Sequence, residues 1–324
     1  MPPVLRINPW ASEYEGALQL GEADDDEAPP AGLRLDVEVK VDQWLPVTPP
    51  LTPRPPLIFV DGVRRVEVGV IQEDDGRILY GLFGSYAAGV VVCGPYGAGV
   101  DRREVRRRLV VGGGSHHPAI AVGAGSMALE FEGYAVDQNS PKDSLDGLQR
   151  LMRELEAQIA RDYAAENALA FVDGPLTFLL PLEEPVLGYV KTLYRSYLPD
   201  HLLPVLYELQ AGQRTPVFAF GEGSAARYSW YLRLAPPRAL DYGLAGVVRL
   251  EVSTGVGDQE AVRLADLSTA VLPQFASYSP WDARAPQNLF PLGALEDDLH
   301  HGLGDHVWVR RAVVGHLLRE VRSE

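Results

Sequence analysis

Cysteine is almost missing from this chain. Cys93 is the one thiol among 324 residues, which excludes an intrachain disulfide and a cysteine-built zinc site. Long apolar runs are missing too. No stretch reaches the roughly 18 consecutive apolar residues of a membrane span, and the opening Met1-Pro2-Pro3-Val4-Leu5-Arg6 lacks the apolar core of a secretory signal. The expectation is a soluble, cytoplasmic protein. Positive charge is scarce: 29 Lys and Arg face 44 Asp and Glu, a formal net charge of -15. Proteins that hold nucleic acid by bulk attraction are usually basic, so this balance counts against a free-standing DNA binder. It leaves room for an enzyme with a local basic channel. A Gly-rich phosphate loop of the Walker type is absent, which argues against an NTPase.

What the chain does contain is a matched pair of motifs. Leu57-Ile58-Phe59-Val60-Asp61-Gly62 and Leu169-Ala170-Phe171-Val172-Asp173-Gly174 each read as a buried strand that delivers a carboxylate at its end. A helical pattern precedes the second copy and carries Glu154 and Glu156. Strand-end carboxylates with a helix carboxylate are a natural oxygen-ligand set for a hard cation. Asp-Gly between apolar runs is also the strongest short hairpin signal. Asp61 therefore has a second reading as a turn residue, with Val63–Val70 as the returning strand. Pro175 makes the same reading difficult for the second copy.

Residues 1–56 read as an N-terminal extension, partly flexible, with an acidic run, a proline-rich approach and an alternating strand at Leu33–Val41. Residues 57–136 carry mostly strand signals. Within them Arg102-Arg103-Glu104-Val105-Arg106-Arg107-Arg108 is the densest basic cluster, and Arg106, Arg107 and Arg108 are candidate DNA contacts. Residues 144–166 form the clearest helix, with Leu148, Leu151, Met152, Leu155 and Ile159 at helical spacing and Ser144 or Asp143 as cap. Glu154 and Glu156 project to opposite flanks of this apolar stripe, so periodicity does not choose between them. Beyond Asp173 come an amphipathic segment at Glu184–Tyr197 with Lys191 and Arg195, a helix near 200–210, strands at Pro216–Phe220, Arg227–Leu234 and Gly246–Val252, and helices near 258–273, 291–302 and 307–322. The His116-His117 pair reads as plain loop.

These pieces, in this order, resemble the NurA nucleases, partners of the HerA translocase in DNA-end processing. The resemblance rests on the two Asp-Gly strands, Arg153-Glu154-Leu155-Glu156, Leu187-Gly188-Tyr189-Val190-Lys191-Thr192, Arg249-Leu250-Glu251-Val252 and Phe290-Pro291-Leu292. It implies an α/β fold over residues 57–324: an RNase H-like mixed-sheet core with additional β structure and C-terminal helices. By position Asp61 and Asp173 match the family's strand aspartates, and the spacing to Asp173 that the resemblance implies selects Glu154 over Glu156. In archaeal members a tyrosine and a histidine flank the Pro-Leu pair. Here Asn288 and Glu296 stand at those places, which puts a phenol or imidazole role in doubt and offers Glu296 as a fourth carboxylate. His300 and His301 lie close by.

The activity implied is metal-dependent DNA cleavage, as a 5′-3′ exonuclease and single-strand endonuclease, by a homodimer that works with a HerA-type hexameric ATPase in end resection and repair. The protein would be nucleoid-associated when acting on DNA. Manganese is the expected cofactor, with magnesium the other candidate, in a two-metal site with ions roughly 3.5–4 Å apart. Asp61, Glu154 and Asp173 would hold the metals, with Lys191 or Arg195 on phosphate. Two other readings stay open: a metal-dependent phosphatase using the same carboxylates, and a non-catalytic HerA-binding subunit.

Overall fold

In the computed structural model a short first strand, β1 (Val4–Ile7), pairs with the first of three long ones, β2 (Leu57–Asp74), β3 (Arg77–Gly94) and β4 (Gly97–Val111). The structure describes residues 4–7, 31–50, 55–74, 76–123, 128–164, 168–178, 185–191, 196–237, 243–278 and 285–323. Val is the commonest residue of the three long strands, which form an antiparallel meander. Then follow β5 (Ile120–Val122), β6 (Leu129–Ala135), helix α1 (Pro141–Tyr163), β7 (Leu169–Asp173) and β8 (Val186–Val190). Short helix α2 (Leu203–Glu208) leads to β9 (Phe218–Phe220), β10 (Arg227–Arg233) and β11 (Val247–Ser253). Helices α3 (Asp258–Val271), α4 (Phe290–Gly302) and α5 (His306–Ser323) close the chain.

The strands form one mixed sheet in the order β5-β6-β4-β3-β2-β7-β8-β11-β10-β9, with β1 on the far half of β2. Both β7 and β8 run parallel to β2, so the chain must cross over between β6 and β7, and α1 makes that crossing. Alternate side chains of β2 and β7 serve opposite faces. Ile58, Val60, Ala170 and Val172 pack under α1 with Leu148, Met152, Leu155 and Ile159. Leu57, Phe59, Leu169 and Phe171 pack under α3 and α4 with Leu264, Leu292, Leu295 and Leu299. Each fully buried Leu or Phe contributes about 1.5–3 kcal/mol, and the two cores hold the sheet between helical layers. This α/β arrangement is consistent with the RNase H-like core that the resemblance implies.

Several expectations need adjusting. Helix α1 starts at Pro141, with Ser140 as its cap: the Ser140 hydroxyl accepts from the Asp143 amide at 3.2 Å. Ser144 lies inside the helix and donates to the Tyr80 carbonyl. Within Glu184–Tyr197 lies strand β8, Val186–Val190. Leu33–Val41 is not a strand either. It lies along the sheet edge with a single bridge between Arg34 and Ala219, because Glu38 turns inward to the buried Arg214. Its alternation is still real, since Leu33, Leu35 and Val39 pack against Trp44, Phe218 and Phe220. Residues 31–50 of the extension are thus folded onto the sheet. No helix among the described residues is long and apolar enough to cross a membrane.

Candidate active site

The two Asp-Gly motifs lie side by side. Leu57 pairs with Leu169, Ile58 with Ala170, Phe59 with Phe171 and Val60 with Val172, in parallel register. Adjacent strands sit ~4.8 Å apart, so equal positions bring Asp61 and Asp173 together on the face covered by α4. The motifs then diverge. Asp173 ends β7, and Gly174 turns the chain away at φ +96°. Asp61 is neither a strand end nor a turn residue, because β2 runs through it to Asp74. Val63–Val70 continues that same strand, which corrects both readings of the first motif. Asp61 is buried, and its Oδ1 accepts from the Gly62 amide at 2.8 Å. Burial, then the neighbouring Asp173, push its carboxyl well above the usual range, with Lys191 pulling the other way.

Lys191 follows β8 and joins this pair. Its Nζ lies 2.8 Å from Asp173 Oδ2 and donates to Asn288 Oδ1 at 3.2 Å. Burial alone would lower the ammonium, but Asp173 and Asp61 outweigh it, aided by Glu296 on α4, and hold it above its ordinary value. Asn288 and Glu296, the two departures from the archaeal pattern, therefore both stand around the Lys191 ammonium. A phenol is present as well: Tyr189, opposite Asp173 in register, is buried and donates to the Gln287 carbonyl. Burial and Asp173 hold its hydroxyl well above the usual phenol range. Arg195 lies outside the described residues. His300 and His301 are exposed in the last turn of α4.

From the other face α1 brings Glu156, whereas Glu154 is exposed. The expectation for Glu154 is corrected here by packing: the face of α1 that meets the sheet carries Met152, Leu155 and Glu156. The Glu156 carboxylate occupies the space that the absent side chain of Gly62 leaves, with Oε1 2.5 Å from where a Cβ would stand. Its Oε2 pairs with Arg153 Nη1 at 2.8 Å, and the same nitrogen donates to the main-chain oxygen of Asp173 at 2.6 Å. The guanidinium lies over Gly174. Each motif glycine thus makes room for one member of the Arg153–Glu156 pair, a role that the turn-making reading of Gly62 missed. Burial raises the Glu156 carboxyl to about 7 despite Arg153.

The donor chemistry fits a hard cation. Asp61, Asp173 and Glu156 offer oxygen only, and Glu156 Oε1 is buried without a hydrogen-bond partner among the described residues. As the side chains stand, no three acidic, histidine or cysteine groups among the described residues form a metal cluster. Lys191 and Arg153 supply the balancing charge. The arginine run does not form one basic patch, because strand alternation splits it. Arg106 and Arg108 pair with Glu104 and Glu132, while Arg107 donates to the Leu303 carbonyl and interacts with the buried Glu67. His117 is hydrogen-bonded to Gln72 in a loop, as expected.

Comparison with known proteins bears on the family and the fold. A family profile described as NurA domain matches residues 57–280. Among solved structures the fold is similar to the crystal structure of the NurA nuclease from Sulfolobus solfataricus, at 13% identity and a TM-score of 0.50, covering 86% of this chain and 88% of that one. No curated protein matches the chain. The profile ends before Asn288 and Glu296, so their place beside Lys191 comes from the structure alone.

Proposed function

The chain belongs to the NurA family, and from that premise we propose that it is a metal-dependent deoxyribonuclease whose centre is built on Asp61, Asp173 and Glu156. The observation that carries this reading is the parallel, in-register pairing of the two strands that carry the aspartates, beside a buried glutamate oxygen that has no hydrogen-bond partner among the described residues. These three residues would hold the divalent cation, manganese or magnesium. Once bound, the cation supplies an activated water and neutralises charge on the phosphate. The chain's own residues do the rest. Gly62 leaves room for Glu156 to approach from beneath the sheet. Arg153 ties Glu156 to the end of β7. Lys191, held by Asn288, presents an ammonium where a phosphodiester would meet the carboxylates, and Asp173 and Asp61, aided by Glu296, keep that ammonium charged.

The finer activities follow the family resemblance: 5′-3′ exonuclease and single-strand endonuclease action, end resection, a homodimer, and a HerA-type hexameric ATPase as partner. An acidic chain gains from a partner that drives the strand inward. The test is cleavage of labelled single- and double-stranded DNA with manganese, magnesium or EDTA, by wild type, Asp61→Asn and Asp173→Asn. Wild type should cut only with metal, and each variant should lose at least about 100-fold, as expected for a displaced metal. Cleavage in EDTA, or variants within a few-fold of wild type, would sink the assignment.

A further inference from the structure

Most large aromatic side chains of this protein are in its cores, but two stand open beside the site. Tyr278 is 82% exposed and Phe290 is 46% exposed, and their rings meet edge to face at 5.3 Å and 73°. Their backbones are joined by the antiparallel bridge between Ala276 and Leu289. Their neighbours Ser277, Asn288 and Leu289 are buried. Asn288 is the side chain that holds Lys191 beside Asp173. Phe290 is thus two residues, a chain span of at most ~7 Å, from a group that contacts the carboxylate centre. The edge-to-face contact fixes the two rings relative to one another and leaves most of the Tyr278 ring in water.

We infer that Tyr278 and Phe290 form a stacking site for an unpaired base of single-stranded DNA at the rim of the carboxylate centre. Two features of the molecule commit the pair to that occupant. A chain of formal charge -15 has little to gain from phosphate attraction, and stacking on an aromatic ring needs no positive charge. Every base has a π-face, so such a contact holds a strand without reading its sequence. A paired base is closed on both faces by its neighbours, so the rings select a strand that is open where it meets the site. The inference rests on the nuclease reading and adds to it the side chains that would hold an unpaired base.

Binding without cleavage separates the two. Full-length protein in EDTA would be titrated into labelled oligothymidine and into a blunt duplex, with anisotropy read at several salt concentrations. Tyr278→Ala should weaken oligothymidine binding at least about fivefold, with the slope against salt unchanged because no phosphate contact is removed. Phe290→Ala should act in the same direction, Tyr278→Phe should bind as wild type does, and duplex binding should move less than twofold. Unaltered oligothymidine binding by Tyr278→Ala overturns the inference and leaves the nuclease reading intact. So does an equal loss on duplex, or a shift of oligomeric state in sedimentation, which would make the pair an interface between copies of the chain. A wild-type protein that binds neither DNA overturns the inference and leaves the nuclease reading to the cleavage assay.

Discussion

Two glutamates stand two positions apart on α1, and one residue of helical rotation either way decides what each can do. Glu156 is sealed against Gly62 and pushed up to about 7, and Glu154 is in water. A helical wheel leaves both open because it shows the flank of the stripe and not what lies under it. Only the packing of α1 on β2 reveals that a glycine sits below Glu156. The expected outcome is that Glu156→Gln lowers metal-dependent cleavage by roughly 10–100-fold or more, as ligand and supporting-residue changes do at metal centres, while Glu154→Gln stays within about twofold. Parallel rate measurements on the two amides decide it, and a reversed ranking would move the helix register.

At the scale of elements, the matched motifs were readable as neighbours in kind but not in space. Apolar strand runs, the α1 stripe and the three C-terminal helices carry local periodicity, and they form where that periodicity places them. What pairs with what is non-local. Nothing in Leu57–Gly62 tells that β2 continues for 18 residues, so Asp61 reads as an end when it is mid-strand. Leu33–Val41 alternates without a ladder because Glu38 turns inward to the buried Arg214. The Gly62 cradle gives this scale its own test. A Cβ there would meet Glu156 Oε1 at 2.5 Å, and the extended backbone accepts alanine. Gly62→Ala should therefore retain its circular dichroism spectrum and lose at least about tenfold in cleavage through a displaced carboxylate. Wild-type rates would mean that Glu156 has other room.

Across the whole molecule, buried ion clusters tie segments that are distant in the chain. Glu251 on β11 accepts from the Leu176 amide just past Asp173 and pairs with Arg227 and Arg249, and Arg214 joins Glu38 to Asp266. Burial alone would raise the Glu251 carboxyl, but the two arginines hold it below its ordinary value. The sign follows. A depressed carboxylate stabilises the fold above its unfolded pKa of ~4.3 and loses that contribution as pH falls through the folded value. Glu251→Gln should lower the melting temperature at pH 7, since unpairing a buried charge costs about 3–5 kcal/mol. It should also flatten the fall of melting temperature below about pH 4. Thermal melts from pH 2 to 8 measure both, and parallel curves for variant and wild type would remove Glu251 from the acid limb.

The pairing of β2 with β7 also has a meaning in time. Hairpins close early because their strands are neighbours in the chain, whereas β7 reaches β2 only after two hairpins and α1 have been laid down between them. On the proposed reading, a chain that stops short of β7 would carry Asp61 without its counterpart. Completion of the fold would then itself be the arming step.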